Sequence, residues 1–159
     1  MLTIRPIEER DREAVVAIAE EVGVFTKEEV VCVEELLQVY LYKAGQQDYT
    51  FVGAYDDAGS LLGFVCFGPT PLTEGTYDIY WVAVRKSAQG QGVGRTLLDW
   101  TEGHLRAAGA RLLILETSST PEYKPAREFY KHLGYTGRTC VPDFYSPGDD
   151  LVVFYKALR

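Results

Sequence analysis

The sequence predicts a mixed α/β fold, one sheet of six to seven strands packed by four helices, and three observations predict it. Strand-like and helix-like segments follow in the order β-α-α-β-β-β-α-β-α-β-β. Turn-rich joints early and late in the chain imply antiparallel hairpins. A strand, a helix and a strand in the middle imply one locally parallel crossover.

The elements follow from the residues in order. Leu2–Arg5 reads as a short strand stopped by Pro6. Val15, Ile18 and Val22 give a first helix one apolar face, and Gly23 ends it. Thr26 and Glu29 form a capping box, so a second helix opens there. Its stripe is Val30, Val33, Leu37, Tyr40 and Leu41, with Gly45 as the stop. Thr50–Tyr55 and Leu61–Phe67 read as a hairpin around Asp56-Asp57-Ala58-Gly59-Ser60, and Gly68-Pro69-Thr70-Pro71 breaks the run. Thr76–Val84 is rich in aromatic and β-branched residues and reads as the next strand. A third helix is expected from about Gly92 to Ala108, closed by Gly109, and Leu112–Leu115 is a buried-type strand. Pro125 suits the first position of a fourth helix, whose stripe is Ala126, Phe129, Tyr130 and Leu133 and whose stop is Gly134. Two last strands flank Ser146-Pro147-Gly148-Asp149-Asp150.

At 159 residues the chain fits a single domain over 1–159, long enough to bury about two thirds of its unfolded surface. Its net charge of −7 disfavours nucleic acid as a partner. No apolar run approaches the roughly 20 residues of a membrane helix, and the charged start MLTIRPIEERDRE lacks the core of a secretory signal. Cys32, Cys66 and Cys140 form neither a disulfide framework nor a zinc pair, and His104 and His132 are too few for a His-rich metal site. The expectation is a reduced, cytoplasmic, metal-free protein.

The sharpest segment is Trp81–Leu98, where a strand enters a loop with Gly90, Gly92 and Gly94, and the loop opens a helix. Glycines admit a ligand close to the backbone, and free amides at a helix N-terminus attract phosphate. Arg85, Lys86 and Arg95 add local positive charge. No Gly-Lys pair supplies a P-loop, and Arg95 stands where a dinucleotide fingerprint needs its third glycine.

Gln89-Gly90-Gln91-Gly92-Val93-Gly94 resembles the Q/R-x-x-G-x-G/A signature of the GCN5-related N-acetyltransferase (GNAT) family. Ala126-Arg127-Glu128-Phe129-Tyr130-Lys131-His132-Leu133-Gly134-Tyr135 resembles that family's A-x-x-[LF]-Y-x-x-x-G-[FY] helix, and the element order resembles its fold over essentially the whole chain. The resemblance implies acetyl-CoA as co-substrate, a primary amine of a small molecule or peptide as acceptor, and direct attack. It places acetyl-CoA where the strands Thr76–Val84 and Leu112–Thr117 splay apart. The cofactor-binding residues it implies are Val82, Ala83 and Val84 of the strand, then Gln89, Gly90, Gln91, Gly92, Val93, Gly94 and Arg95 of the loop, where the Gln91 side chain is expected to be solvated. Around the last helix it implies Tyr123, Ala126 and Tyr130; many members carry Asn where this chain has Tyr123.

Tyr130 is the implied acid for the leaving thiolate, with core packing as its plainer role. Glu116 and Asp78 are the candidate bases, and ordered water is the third possibility. The acceptor is implied to enter from the opposite end, past the segment containing Phe25 and the last hairpin with Asp143 and Tyr145. An extended stretch there puts Asp143 and Tyr145 on one side and Phe144 on the other. His104, Trp81 and Trp100 are expected to pack rather than react. A homodimer is compatible with the resemblance. Two rival readings stay open, a regulatory module that binds acyl-CoA without catalysis and a transferase of longer acyl groups.

Overall fold

The computed structural model describes residues 1–159, the side chain of Arg138 apart. The described residues form seven strands in one sheet, ordered β1-β2-β3-β4-β5-β7-β6. In chain order these are β1 (Thr3–Pro6), α1 (Arg12–Glu21), α2 (Lys27–Tyr42), β2 (Thr50–Tyr55), β3 (Leu61–Pro69), β4 (Thr76–Val84), α3 (Val93–Ala107), β5 (Leu112–Ser118), α4 (Lys124–His132), β6 (Thr136–Ser146) and β7 (Asp149–Ala157). The order of elements is the expected one. Every neighbouring pair is antiparallel except β4 and β5, which α3 joins by the expected parallel crossover.

Local chemistry sets most boundaries. Thr26 Oγ1 accepts from Glu29 N at 3.1 Å and Glu29 Oε1 from Thr26 N at 3.0 Å, so the capping box opens α2 as its residues foretell. Several boundaries differ: β1 runs Thr3–Pro6 and includes the proline expected to stop it, and β5 runs on past Leu115 to Ser118, paired with β7. β3 continues through Gly68 to Pro69, because Pro69 still faces Tyr77 of β4, and proline is tolerated at a strand end where no amide is needed. α2 ends at Tyr42, before Gly45, because Lys43 already takes an extended backbone.

Each face of the sheet has its own helices, and with them its own core. α1 and α2 cover Phe51, Tyr55, Phe64 and Cys66 with Val15, Ile18, Val33 and Leu37. α3 and α4 cover Val52, Val65, Ile79, Leu113 and Phe154 with Leu97, Leu98 and Tyr130, joined by Leu133 just past the end of α4. Burial of those side chains, at roughly 25 cal/mol per Å² of apolar surface, holds both helix pairs to the sheet. No described helix is long and apolar enough to cross a membrane.

Candidate active site

The site begins with an irregularity in β4. Ile79 faces Phe67 of β3 and the next paired residue, Trp81, faces Cys66, so Tyr80 is an extra residue in the strand. Such a bulge bends its strand and turns two successive side chains the same way. Tyr77, Ile79, Val82 and Val84 accordingly pack toward α3 and α4, whereas Tyr80 and Trp81 both pack toward α1 and α2. The ladder between β4 and β5 stops there, its last pair being Ile79 and Leu115. Beyond that pair the two strands part.

The parting leaves backbone groups of β4 without a strand. Arg85 N donates to Leu62 O of β3 at 2.7 Å. Alternation along the strand therefore turns the amides and carbonyls of Val84 and Val82 away from β3, toward the gap. The Val84 carbonyl accepts from Gln89 Nε2 at 3.1 Å, a bond that folds the start of the glycine loop against the strand end. Ala83 keeps its side chain on the α1–α2 side, buried.

The loop then turns into α3. Gly90 and Gly92 have φ of 76° and 82°, in the left-handed region where a side chain is strained, and a Cβ on either would meet nothing within 4 Å. Both therefore leave open space above the loop. Gly94 serves differently: a Cβ there would lie 3.0 Å from the Phe129 ring and 3.6 Å from Val84 Cγ2, so it brings α3 close to α4. Gly92 caps α3 without any side-chain bond, and the first turn holds no acidic residue. The leading amides of α3 thus stay free for an anion. Arg95 is exposed on that turn, and the Gln91 side chain donates back to Ser87 O at 3.2 Å. Arg85 departs from expectation: its guanidinium turns away to Glu21 at 3.4 Å and to Leu61 O at 3.2 Å.

Two carboxylates face the gap from the α1–α2 side. Asp78 lies opposite Ile114, and Glu116 follows Leu115, so both stand on the face away from Ile79 and Leu115. Thr70 Oγ1 donates to Asp78 Oδ2 at 2.6 Å. Glu116 is solvent-exposed, yet surrounding protein and then the charge of Asp78 push its carboxyl above the ordinary range. Exposure combined with desolvation is what a concave wall produces.

Tyr130 rises from the other face. Its ring sits at 5.7 Å from Phe154 and 6.3 Å from Tyr135, in tilted, edge-on contacts, and it is 8% exposed. Burial alone lifts its phenol to about 12. Among the described residues every buried side-chain nitrogen or oxygen has a partner, and the Tyr130 hydroxyl has none; it is therefore not sealed in the core but reaches open space. Ala126 packs at the margin of the same core.

The opposite wall is aromatic and acidic. Phe25 meets Trp81 edge-on at 5.1 Å. Tyr145 is 47% exposed, yet surrounding protein and then the charges of Glu116, Asp149 and Glu29 push its phenol up to about 12. The Tyr123 hydroxyl reaches Glu29 Oε2 at 3.2 Å and Val24 O at 3.3 Å. Asp143 corrects the expectation of an extended stretch. Its φ is 55°, the ladder of β6 and β7 is irregular between Val141 and Ser146, and its Oδ1 accepts from Gly148 N at 2.8 Å. Its carboxylate thus serves the hairpin turn, and the alternation through Phe144 fails: the Phe144 and Tyr145 rings meet at 5.0 Å. Thr70 and Glu29 are the neighbours that sequence reading missed. Glu29 was visible as a cap, but its second oxygen gave no signal. His104 packs, as expected, its ring stacked 4.8 Å from Trp100. Among the described residues no three His, Cys, Asp or Glu side chains gather as a metal cluster.

The family model of the acetyltransferase (GNAT) family matches residues 15–135. A GNAT-family acetyltransferase structure from Desulfovibrio desulfuricans is 36% identical over all of both chains, with a TM-score of 0.95. An acetyltransferase from Salmonella typhimurium, solved with its cofactor acetyl-CoA, is 20% identical, covers all of this chain and 95% of its own, and superposes with a TM-score of 0.73. An uncharacterized N-acetyltransferase of Methanocaldococcus jannaschii is 31% identical over 99 residues, which is 62% of this chain and 60% of that relative's length. The bulged strand, the parting beside it and the glycine loop are thus those of an acetyltransferase fold, and the chain belongs to the GNAT family.

Proposed function

We propose that the protein moves an acetyl group from acetyl-CoA to a primary amine of a small molecule or peptide by direct attack. The observation that carries this reading is the parting of β4 and β5 with free amides on one side and two carboxylates on the other. The residues present suit acetyl-CoA: open space over Gly90 and Gly92 for a pyrophosphate, uncapped amides of Val93, Gly94 and Arg95, and a free strand edge at Val82 and Val84 for an extended arm. Acetyl-CoA supplies an activated thioester. Val84 N–H, turned to the gap, would donate to the thioester oxygen as charge builds there.

Glu116 is the base we favour over Asp78. Its raised carboxyl is closer to neutrality, and its exposure lets an ammonium reach it. Asp78, already bonded by Thr70, would instead hold Glu116 in that raised state. Tyr130, protonated at neutral pH and with an open hydroxyl, would return a proton to the departing thiolate. Phe25 and Tyr145 would wall the acceptor, and the carboxylates around Tyr145 favour a cationic amine. A module that only binds acyl-CoA needs none of Glu116, Asp78 and Tyr130 at the gap.

The test is release of free thiol from acetyl-CoA across a panel of primary amines and peptides with free N-termini, beside calorimetric binding of acetyl-CoA. Turnover with at least one amine supports the enzyme. Binding without thiol release on any of them favours the regulatory module, and faster turnover with a longer acyl-CoA favours the other transferase.

A further inference from the structure

The Tyr123 hydroxyl spans the molecule. Tyr123 ends a single 3-10 turn, Pro121–Tyr123, just before α4. That turn has a firm base, because Arg127 Nη1 donates to the carbonyls of Ser118 and Thr120, each at 2.8 Å. From this base the phenol crosses to Val24 in the segment joining α1 and α2 and to Glu29 in the first turn of α2, 99 and 94 positions away in the chain. Among the described residues it makes the one hydrogen bond that reaches the backbone of 23–26 from beyond α2. Phe25 lies in that segment and packs on Trp81 beside the parting.

We propose that Tyr123 is a positioning residue for the acceptor: its hydroxyl, shared between Val24 O and Glu29 Oε2, fixes the segment that sets Phe25 at the mouth of the gap. The inference rests on the acetyl-transfer reading above and adds a residue that acts on the acceptor through another. A phenol has one proton, so the two acceptors share it, and the carboxylate gives the stronger bond. Glu29 is used on both oxygens, Oε1 accepting from Thr26 N and Oε2 from Tyr123. A glutamine has one acceptor oxygen and serves the cap or Tyr123, not both. Burial and the Glu29 charge hold the Tyr123 phenol protonated, so the strap does not open near neutral pH.

The first readout needs no activity. Amide hydrogen exchange on the full chain without substrates should be faster at 23–26 in Tyr123→Phe, with α4 unchanged. The second is kinetic, with the best acceptor from the amine panel. Loss of one bond to a charged group predicts a rise in acceptor KM of about tenfold, while acetyl-CoA affinity stays within about twofold. Glu29→Gln should raise the same KM, and the double variant should be no worse than the poorer single one, because both remove one interaction. Unchanged exchange at 23–26 in Tyr123→Phe overturns the proposal, as does loss of acetyl-CoA affinity with acceptor KM intact, or additive effects of the two substitutions. If the panel yields no acceptor, the transfer reading fails, and the exchange result still decides whether Tyr123 holds the segment.

Discussion

Glu116 and Asp78 stand on the same face of two strands that run in parallel register up to Leu115 and Ile79 and then separate. The Asp78 charge is the second cause, after desolvation, of the upward displacement of the Glu116 carboxyl. In the proposed acetyl transfer this pair would serve as a base with a tuner, and substitution of either has a different signature.

The acidic limb of kcat/KM should sit above the ordinary carboxylate range, because the base works only when ionised. In Asp78→Asn the repulsion disappears, and the limb should move to lower pH while activity above it persists. In Glu116→Gln the limb itself should vanish, with the largest loss near pH 7 and a smaller one where the amine is already neutral. Loss of the limb in Asp78→Asn with retention in Glu116→Gln would exchange the two roles. The sign for stability follows from the same displacement. A carboxyl raised in the fold opposes folding once ionised, so this group's effect is absent at low pH and grows as pH rises through its folded value. Asp78→Asn should therefore flatten the fall of Tm with rising pH across that window.

Tyr130→Phe isolates a hydroxyl that bonds to no described residue. Its loss should leave Tm and acetyl-CoA affinity unchanged, since no intramolecular hydrogen bond goes with it. Turnover should drop by a factor typical of a general acid, about 10²–10⁴. Wild-type turnover in this variant would reduce Tyr130 to packing between Phe154 and Tyr135.

Gly92→Val places a β-branched residue at a φ of 82°. No atom lies within 4 Å of its Cβ, so backbone strain rather than collision sets the stability cost, about 1–3 kcal/mol. Acetyl-CoA binding should weaken further, because the new side chain projects into the space over the loop. Gly92→Asn tolerates the left-handed backbone better and should separate the two effects: Tm nearly kept, affinity still reduced. Calorimetry showing full affinity in both variants would remove the loop from the cofactor site.

How much of this was legible differs by feature. The strands Thr50–Tyr55 and Thr76–Val84 were readable to the residue, because β-branched and aromatic runs are bounded there by glycine, aspartate and threonine turns. The capping box at Thr26 gave the start of α2 for the same local reason. The bulge at Tyr80 was not readable. Tyr80 and Trp81 suit either face, and only the register against Phe67 and Cys66 reveals the extra residue. The two-sided use of Glu29 depends on a phenol 94 residues away, which no local pattern encodes.

The β6–β7 hairpin, which the proposed function sets beside the acceptor, carries the last prediction. Asp143 holds a left-handed φ of 55° and accepts from Gly148 N, while its own amide donates to Asp150 Oδ1 at 2.9 Å. Aspartate and asparagine tolerate that backbone and keep an oxygen for the Gly148 amide. Asp143→Asn should therefore leave both Tm and acceptor KM close to wild type. Asp143→Ala loses the bond and gains strain, so it should lower stability by about 1–2 kcal/mol. Tyr145 is the contrasting case. Its phenol lies within the field of Glu116 and is itself partly exposed, so Tyr145→Phe should raise acceptor KM without lowering Tm. Acetyl-CoA affinity should hold in all three, since neither residue belongs to the glycine loop or to the first turn of α3. A rise in acceptor KM in Asp143→Asn at unchanged Tm would give the carboxylate a second role, because turn chemistry is the same in both residues and only charge has changed.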